Sequence, residues 1–524
     1  MAIFEQYLAS ERLREISLGA SLAWVAVPWL FYRVAVALYN ISPLHPLSHI
    51  PGPRLAAMSF FYEFWYDVVL GGKFTGQIAM MHKVYGPVVR INPQELHVSD
   101  GQLLDDIYSH GNRIRDKSVH MSNNAGGALR FSGFGTVHHE LHRVRRAAVS
   151  RYFSRSNMLR LEPSIAAYIE PLCAKMLRIR EPYDVQQAYA CITGDIITQY
   201  AFGESPGFVE QEGWLPNYME QTKAMISTVH LFRFFPPLRW LMTLAPYMRN
   251  LLVKGKLKLL MTEMLVNAPQ RVRNAKADIA AGNDKSDTVL CSILKSDLPE
   301  SDKAPERLSG ESFALLLGGI ETTAKTLSII TYHLLSKPHI LDTLRTALKD
   351  HRIDPEKLSW TALEKVPYLE AVILEGLRLG YAVAIRQLRV ARTEVLVYKS
   401  KDGKMELSIP KGTPIGTSTT IIHRDEDVFP DPDTYNPQRW TQADPAHRKE
   451  MDKYFMAFSK GSRQCVGMSL AWCELYLITA AMALKVLPHL RLYKTDQDDI
   501  TYDSEYGVYL PRKESKGIRV QLAA

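Results

Sequence analysis

One cysteine of the chain lies in a loop whose composition suits a metal ligand. The loop reads Phe458-Ser-Lys-Gly461-Ser-Arg463-Gln-Cys465-Val-Gly467, and an apolar run that predicts a helix follows it. Glycines allow a backbone to approach a flat ligand closely. A helix N-terminus beside the cysteine would favour the thiolate, the form that binds metal ions. Cys465 is therefore a candidate metal ligand, and the alternative is a structural cysteine in a glycine-rich turn.

An acid and an alcohol follow two glycines inside a long predicted helix, in the segment Gly318-Gly319-Ile-Glu321-Thr322. Each glycine should cost about 1 kcal/mol relative to alanine in a helix, so a local reason is expected. Adjacent carboxyl and hydroxyl groups can transfer protons to a reacting molecule. On its own, the segment favours a simpler interpretation, a glycine kink with Glu and Thr on the helix surface.

A carboxylate and a guanidinium lie three residues apart in Glu375-Gly-Leu-Arg378, and Pro437-Gln-Arg439-Trp440 follows downstream. Residues at i and i+3 share one face of a helix. Taken alone, most such pairs are solvated surface contacts that contribute little to stability.

Together these motifs resemble those of the cytochrome P450 family of haem-thiolate monooxygenases. They match its cysteine loop F-x-x-G-x-R-x-C-x-G, its E-x-x-R and P-x-R-W pair, and its oxygen-binding helix segment. The resemblance runs from about Ile50 to Arg519, and the stretch that begins HPLSHIPGPRL is similar to the fungal trichodiene-oxygenase-like members of secondary metabolism. It implies a mainly α fold with small β-sheets, the triangular haem domain of the family, and haem b (iron protoporphyrin IX) as cofactor.

The resemblance also implies roles for the acid-alcohol pair and for the ion-pair motif. Thr322 would hydrogen-bond dioxygen at the catalytic centre, and Glu321 would help to relay protons. Glu375, Arg378 and Arg439 would form a structural network beneath the haem.

In the same resemblance, Cys465 is the axial ligand of the haem iron, within a loop completed by Phe458, Gly461 and Gly467. The haem propionates need cationic partners. A histidine replaces the tryptophan of the family's W-x-x-x-R motif, which leaves open which of two adjacent arginines is the partner. The candidates by position are Arg463, Arg386, and Arg146 with Arg145 as its alternative.

Composition excludes several other classes of protein. The 524 residues are 46% hydrophobic and 23% charged, as expected of a folded protein. A net charge of +8 suits an anionic membrane surface or an acidic protein partner, while no dense basic stripe predicts nucleic-acid binding. The five cysteines are irregularly spaced, which fits neither a disulfide framework nor a zinc site.

An uncharged stretch from Ile16 to Tyr32 is just long enough to span a membrane. We therefore expect a membrane anchor over residues 1–40, a proline-rich hinge over 41–53 and the haem domain over 54–524. A cleaved signal peptide is the alternative, although acidic residues precede the stretch. The resemblance implies the endoplasmic reticulum membrane, with the catalytic domain in the cytosol.

Strand patterns are confined to short pieces of the chain. We expect strands in VVRINPQELHVSD and a hairpin in TEVLVYKSKDGKMELSIP, with Asp402 and Gly403 at its turn. The polar stretch from Lys276 to Arg307 predicts a surface loop before the long helix.

The reaction that the resemblance implies inserts one oxygen atom of dioxygen into a lipophilic molecule. No G-x-G-x-x-G nucleotide motif is present, so electrons from NADPH would come through a separate flavoprotein reductase. The resemblance places the run from Tyr381 to Ile385 beside the haem, and because this run is uncharged we expect a terpenoid or polyketide substrate. Alternatives are a haem-thiolate isomerase, dehydratase or lyase, and a non-catalytic haem sensor or carrier.

Overall fold

A computed structural model describes residues 24–226, 229–238, 258–283 and 287–523. In these ranges the chain is mainly helical with small β-sheets, which confirms the predicted fold class. The helices of nine residues or more are α1 (Trp24–Ile41), α2 (Phe74–Tyr85), α3 (His139–Ser150), α4 (Arg155–Arg178), α5 (Val185–Phe202), α6 (Tyr218–Ile226), α7 (Ala268–Ala280), α8 (Pro305–Ser336), α9 (Pro338–Asp350), α10 (Pro367–Gly380), α11 (Pro445–Tyr454) and α12 (Met468–Ala481).

The strands are all two to four residues long. They are β1 (Val88–Arg90), β2 (Leu96–Val98), β3 (Asp116–Lys117), β4 (Tyr183–Asp184), β5 (Arg389–Val390), β6 (Leu396–Lys399), β7 (Glu406–Ile409), β8 (Pro414–Gly416), β9 (Leu490–Leu492), β10 (Ser504–Glu505), β11 (Tyr509–Leu510) and β12 (Arg519–Leu522). The predicted strands near the start of the body are confirmed as β1 and β2. The predicted hairpin is confirmed as β6 and β7, and Gly403 in its turn has a φ of 70°.

The largest sheet joins distant parts of the chain. Its order is β1-β2-β8-β5-β3, with β2 and β8 parallel and the other pairs antiparallel. The pairing of β3 with β5 places Lys117 opposite Arg389. Two cationic side chains that lie far apart in sequence are thereby brought together.

Helix α8 runs through the main core and carries the Gly-Gly-Ile-Glu-Thr segment. It begins with Pro305, a residue favoured at the first helical position, and ends just before Pro338. It packs closely on α5, because a Cβ on Gly319 would lie 2.7 Å from Cγ1 of Ile197. Close packing of the two helices is thus one local reason for a glycine here.

Helix α1 differs from the other apolar helices in its exposure. Three helices in the described residues are long and apolar enough to cross a membrane. Two of them, Pro305–Ser336 and Met468–His489, are mostly buried inside the fold, whereas Trp24–Ile41 is only 6% buried. Packing against the core therefore does not account for the apolar surface of α1. The predicted anchor begins in residues 1–23, which lie outside the described residues.

The proline-rich segment after α1 is bound to the body. The Arg90 N–H donates to the carbonyl of Pro51 at 2.8 Å, and the Arg90 guanidinium donates to the carbonyl of Asn40 at 2.9 Å. The Asn40 side chain donates to the carbonyl of Met58 at 3.0 Å. The end of α1 and the segment that follows it therefore have a fixed position on β1.

The surface loop predicted between Lys276 and Arg307 is partly wrong. Helix α7 extends to Ala280, and Val289–Lys295 forms a further helix whose residues from Val289 to Leu294 are buried. The apolar run VLCSIL packs into the core, and the Thr288 side chain caps its N-terminus. Three residues of the stretch, 284–286, lie outside the described residues.

Candidate haem site

The cysteine loop leads directly into the first turn of α12. The Cys465 N–H donates to the carbonyl of Phe458 at 2.9 Å, which closes the loop. Gly461 has a φ of +74°, and a Cβ there would lie 2.2 Å from the carbonyl oxygen of Tyr108. The neighbouring backbone therefore requires a glycine at this position. A Cβ on Gly467 would meet nothing within 4 Å.

Cys465 is exposed although protein atoms surround it. Burial raises the pKa of its thiol, while the Gly467 N–H and the charge of Arg146 act in the opposite direction. The other four cysteines are buried. A side chain that is desolvated and yet has free surface lines an interior space. A metal ion bound there would deprotonate the thiol outright.

One stretch of helix α8, around Gly318 and Thr322, is not covered by protein. Gly318 is exposed and Thr322 is half-buried, although the residues from Thr323 to Leu334 are buried. A Cβ on Gly318 would meet nothing within 4 Å. The Thr322 hydroxyl donates to the carbonyl of Gly318 at 2.7 Å, so its oxygen can still accept a further bond.

Glu321 adjoins Thr322 in sequence but is buried. Burial raises the pKa of its carboxyl group, against the opposing charges of Lys223 and Lys325. Glu321 lines a small cavity between α6 and α8, together with Tyr218 and Thr222. A protonated carboxyl group that borders a cavity can donate a proton.

A cluster of cations and potential cations lies on the segments around the cysteine loop. Its members are Lys117, His142, Arg146, Arg389 and Arg463. Burial, then the charge of Arg389, lowers the pKa of Arg463 to about 9. Burial, then the charges of Arg463 and Arg389, holds the pKa of Lys117 well below its ordinary value. Like Cys465, Lys117 retains exposed surface although protein surrounds it.

Neutral groups are the main hydrogen-bond partners of these cations. Arg463 donates to the carbonyls of Thr136 at 2.7 Å and Val137 at 2.6 Å. Arg389 donates to the carbonyl of Leu388 at 3.1 Å. The nearby carboxylate of Asp116 is bound to Arg392, with a distance of 2.9 Å.

Buried cations without a counter-charge are costly, so this cluster has a deficit of negative charge. A ligand with two carboxylates would supply that charge. The haem propionates therefore fit the residues present, and Cys465 fits the iron.

Burial lowers the pKa of His142 to about 2, and the charges of the other four members of the cation cluster act in the same direction. His142 is therefore neutral at physiological pH, and one of its ring nitrogens can donate a hydrogen bond. It occupies the position of the family's tryptophan, which also offers an N–H.

Two of the arginines predicted from sequence have other partners. Arg386 binds Glu63 at 2.5 Å, and Glu63 and Asp67 raise its pKa against the effect of burial. Arg145 binds Asp302 at 2.6 Å. Arg146, by contrast, donates to the carbonyl of Gln464 beside the cysteine. Of the two adjacent arginines, Arg146 therefore lies in the cluster and Arg145 does not.

Sequence reasoning missed Lys117 and Arg389. Side chains of an extended segment alternate between its two faces, so residues 386 and 389 point to opposite sides. That rule separates the two arginines but does not say which side faces the site. Lys117 lies on a two-residue strand and carries no sequence signal.

The structure brings Glu375, Arg378 and Arg439 together in a buried network. Arg378 binds Glu375 through two nitrogens, at 2.9 and 2.7 Å, and Arg439 binds the same carboxylate at 3.0 Å. The Trp440 indole and the Asn436 N–H also donate to it, at 2.8 and 3.0 Å. Burial alone would raise the pKa of Glu375, but the two arginines hold it below its ordinary value.

Comparison with known proteins agrees with this geometry. The family model of cytochrome P450 matches residues 51–515. A cytochrome P450 monooxygenase of Metarhizium majus is 39% identical over 440 residues, 81% of this chain and 92% of that protein. Conidiogenone synthase of Penicillium rubens is 35% identical, over 93% of this chain and 96% of its own. N-acetyltryptophan 6-hydroxylase of Emericella nidulans is 33% identical, over 96% and 99%. This chain therefore belongs to the cytochrome P450 family.

Proposed function

We propose that the chain is a membrane-anchored haem-thiolate monooxygenase. It uses dioxygen and electrons from NADPH to oxidise a lipophilic intermediate of secondary metabolism, of terpenoid or polyketide type. The observation that carries this proposal is a set of desolvated cations, for which the described residues supply no matching carboxylates, beside a cysteine that keeps free surface although protein surrounds it. Fungal relatives named as monooxygenases and hydroxylases support the reaction class.

The proposed cofactor is haem b, which when bound supplies the iron centre for oxygen chemistry. Cys465 would hold the iron as a thiolate, and Arg463, Arg146 and Arg389 would pair with the propionates. Arg389 replaces Arg386 in this proposal, because Arg386 is already neutralised by Glu63. Glu375, Arg378 and Arg439 would stabilise the fold around the cysteine loop.

Two residues of α8 would handle protons. The Thr322 hydroxyl lies on the open stretch of the helix and can accept a bond while it donates to Gly318. Burial raises the pKa of the Glu321 carboxyl group, which favours the protonated form that would pass a proton towards Thr322.

Electrons would come from a separate NADPH-dependent flavoprotein reductase. The exposed apolar helix α1 supports a single-pass anchor, which would hold both proteins on one membrane. We propose the endoplasmic reticulum, with the catalytic domain in the cytosol.

The substrate-facing wall after α10 is proposed to be apolar. Ala382, Val383 and Ile385 are half-buried, while Tyr381 is buried against the ring of Tyr509. This arrangement presents methyl groups and supports a lipophilic ligand better than a sugar or nucleotide.

The test is turnover with labelled dioxygen. Purified full-length protein, a fungal flavoprotein reductase and NADPH are incubated under ¹⁸O₂ with a panel of terpenoids and polyketides. We expect a product that contains one labelled oxygen atom. A rearranged or dehydrated product without label would favour an isomerase, dehydratase or lyase. Ligand-induced spectral shifts without NADPH consumption would favour a sensor or carrier.

A further inference from the structure

Lys117 is the member of the cation cluster that holds a neighbouring loop. Its ammonium group donates to the carbonyl of Phe134 and lies 4.0 Å from the centre of the Phe134 ring. Its backbone N–H donates to the carbonyl of Val137 at 3.1 Å. Both acceptors belong to the segment 131–137, which contains two glycines. Lys117 therefore fixes this segment to strand β3 through its side chain and its backbone.

Arg463 holds the same segment from the cysteine loop. Its guanidinium group donates to the carbonyls of Thr136 at 2.7 Å and Val137 at 2.6 Å. In the described residues, the hydrogen-bond acceptors of Arg463 and of the Lys117 ammonium group are carbonyl oxygens. A guanidinium group has five N–H donors and an ammonium group has three. Both side chains therefore keep donors for a further acceptor while they hold the segment.

The segment 131–137 also contacts helix α8. The N–H of Gly133 donates to the Glu311 carboxylate at 2.9 Å, and Glu311 lies on the same helix as Thr322. The backbone is tightly folded here, because a Cβ on Gly135 would lie 2.5 Å from the carbonyl oxygen of Leu129. The segment thus connects the cation cluster with the helix that carries the proposed proton-handling residues.

We propose that Lys117 binds a carboxylate of the haem while it holds the segment 131–137, so that the bound cofactor fixes this segment in place. The inference rests on the proposed haem site and adds to it a residue that has no motif of its own. Strand pairing supports it, because β3 and β5 place Lys117 opposite Arg389, a proposed partner of the propionates. No covalent bond changes, since the carboxylate accepts a hydrogen bond from a free N–H of the ammonium group.

The negative charge of the ligand would strengthen the contact between Lys117 and Phe134. Burial, then the charges of Arg463 and Arg389, holds the pKa of Lys117 well below its ordinary value. These effects favour the neutral amine, which is a weaker donor than an ammonium group. A carboxylate beside Lys117 favours the charged form instead. The ammonium group then donates more strongly to the Phe134 carbonyl and is attracted to the face of its ring.

The first measurement is amide hydrogen exchange of the segment 131–137 in the full-length protein. A host that depends on added haem is fed either haem or haem dimethyl ester, in which both carboxylates are blocked. We expect exchange to be about tenfold slower with haem, because the ester offers Lys117 no charged acceptor. The N–H groups of Gly133 and Thr136 report it, since both are hydrogen-bonded within the protein. Equal exchange in the two forms would overturn the proposal.

Variants of Lys117 separate a response to the carboxylate from a purely structural contact. With haem, the segment should exchange about tenfold faster in Lys117→Met than in the natural protein, whereas Lys117→Arg keeps the charge and should resemble the natural protein. With the ester, Lys117→Met and the natural protein should exchange at about the same rate. If Lys117→Met speeds exchange by the same factor with both cofactors, Lys117 does not bind the carboxylate. The comparison of haem with its ester in the natural protein remains decisive even where Lys117→Met does not fold.

A matched control lies just after helix α8. Lys337 is also a half-buried lysine whose ammonium group donates to a carbonyl, that of Tyr435 at 3.3 Å. Lys337→Met should leave exchange of the segment 131–137 unchanged with either cofactor. A natural protein that takes up no haem from the fed host would refute the proposed function. Haem-loaded Lys117→Met that exchanges like the natural protein would refute only this inference.

Discussion

Arg386 and Arg389 are three residues apart, yet the fold gives them different partners. Arg386 lies among carboxylates and is neutralised by Glu63. Arg389 lies beside Lys117 and Arg463, and its hydrogen bonds go to backbone carbonyls and a serine hydroxyl. A buried arginine with neutral partners is available to an anionic ligand, whereas one bound to a carboxylate is not.

The neutral partners of Arg389 predict that its loss weakens haem retention, whereas loss of an arginine bound to carboxylates does not. Arg389→Gln should speed the transfer of haem to an acceptor protein about tenfold, because a charge-assisted bond contributes about 1.5–3 kcal/mol. Arg113→Gln removes an exposed arginine that is bound to Asp106 and Glu394, and should leave the rate unchanged. Equal rates for all three proteins would show that Arg389 does not contact the propionates.

At the scale of single residues, the sequence predicts the members of motifs better than the residues that the fold brings next to them. Cys465 and Arg463 are predicted from motif spacing, since each stands in a fixed position of a pattern, whereas the spacing leaves Arg145 open beside Arg146. Lys117 and Arg389 are brought together by pairing of β3 with β5. Strands of two residues give too little pattern for such a pairing to be predicted.

Helix α10 carries Glu375 and Arg378, which form a buried charge network with Arg439 of a later segment. Glu375→Gln would leave Arg378 and Arg439 with a weaker acceptor in a dry environment. Removal of one partner from a buried ion pair typically costs about 3–5 kcal/mol. We expect a markedly lower unfolding temperature and less haem-loaded protein. Glu370→Gln, on the same helix, is the control and should resemble the natural protein.

Helix α8 contains a buried histidine that predicts acid sensitivity. Burial lowers the pKa of His333 from 6.5 to about 3, and its ring stacks on Tyr435 at 4.3 Å. The unfolded chain therefore binds a proton below about pH 6.5 that the folded chain does not, so stability falls as the pH falls from 6.5 towards 3.

His333→Phe keeps the stacked ring and removes the titration. The slope of unfolding free energy against pH should decrease by up to about 1.4 kcal/mol per pH unit below pH 6. Denaturant unfolding of both proteins at several pH values measures it. Identical slopes would show that His333 is protonated in the fold.

Elements with a clear periodicity or turn signal are predicted well, and short elements without either signal are predicted poorly. Helix α8 and the β6–β7 hairpin follow from apolar periodicity and a turn dipeptide. The helix Val289–Lys295 was missed because seven residues between polar stretches hold less than two turns of pattern. Its position depends on contacts with the core.

Among the three long apolar helices of the described residues, α1 is the one that is not buried in the core. Deletion of residues 1–39 should release part of the protein from membranes without loss of haem. The deletion retains Asn40, whose carbonyl accepts the bond from Arg90. Membrane flotation and haem content measure the two effects. A truncated protein that unfolds would show that α1 packs against the body.

The central claim is that Cys465 holds haem iron as a thiolate. The Soret band of the reduced carbon monoxide complex tests it most directly, because a thiolate ligand donates enough electron density to shift that band to longer wavelength. The natural protein and Cys473→Ser, which alters a buried cysteine of α12, should both show the shifted band. Cys465→Ser should lose it. A shifted band that persists in Cys465→Ser would contradict the account.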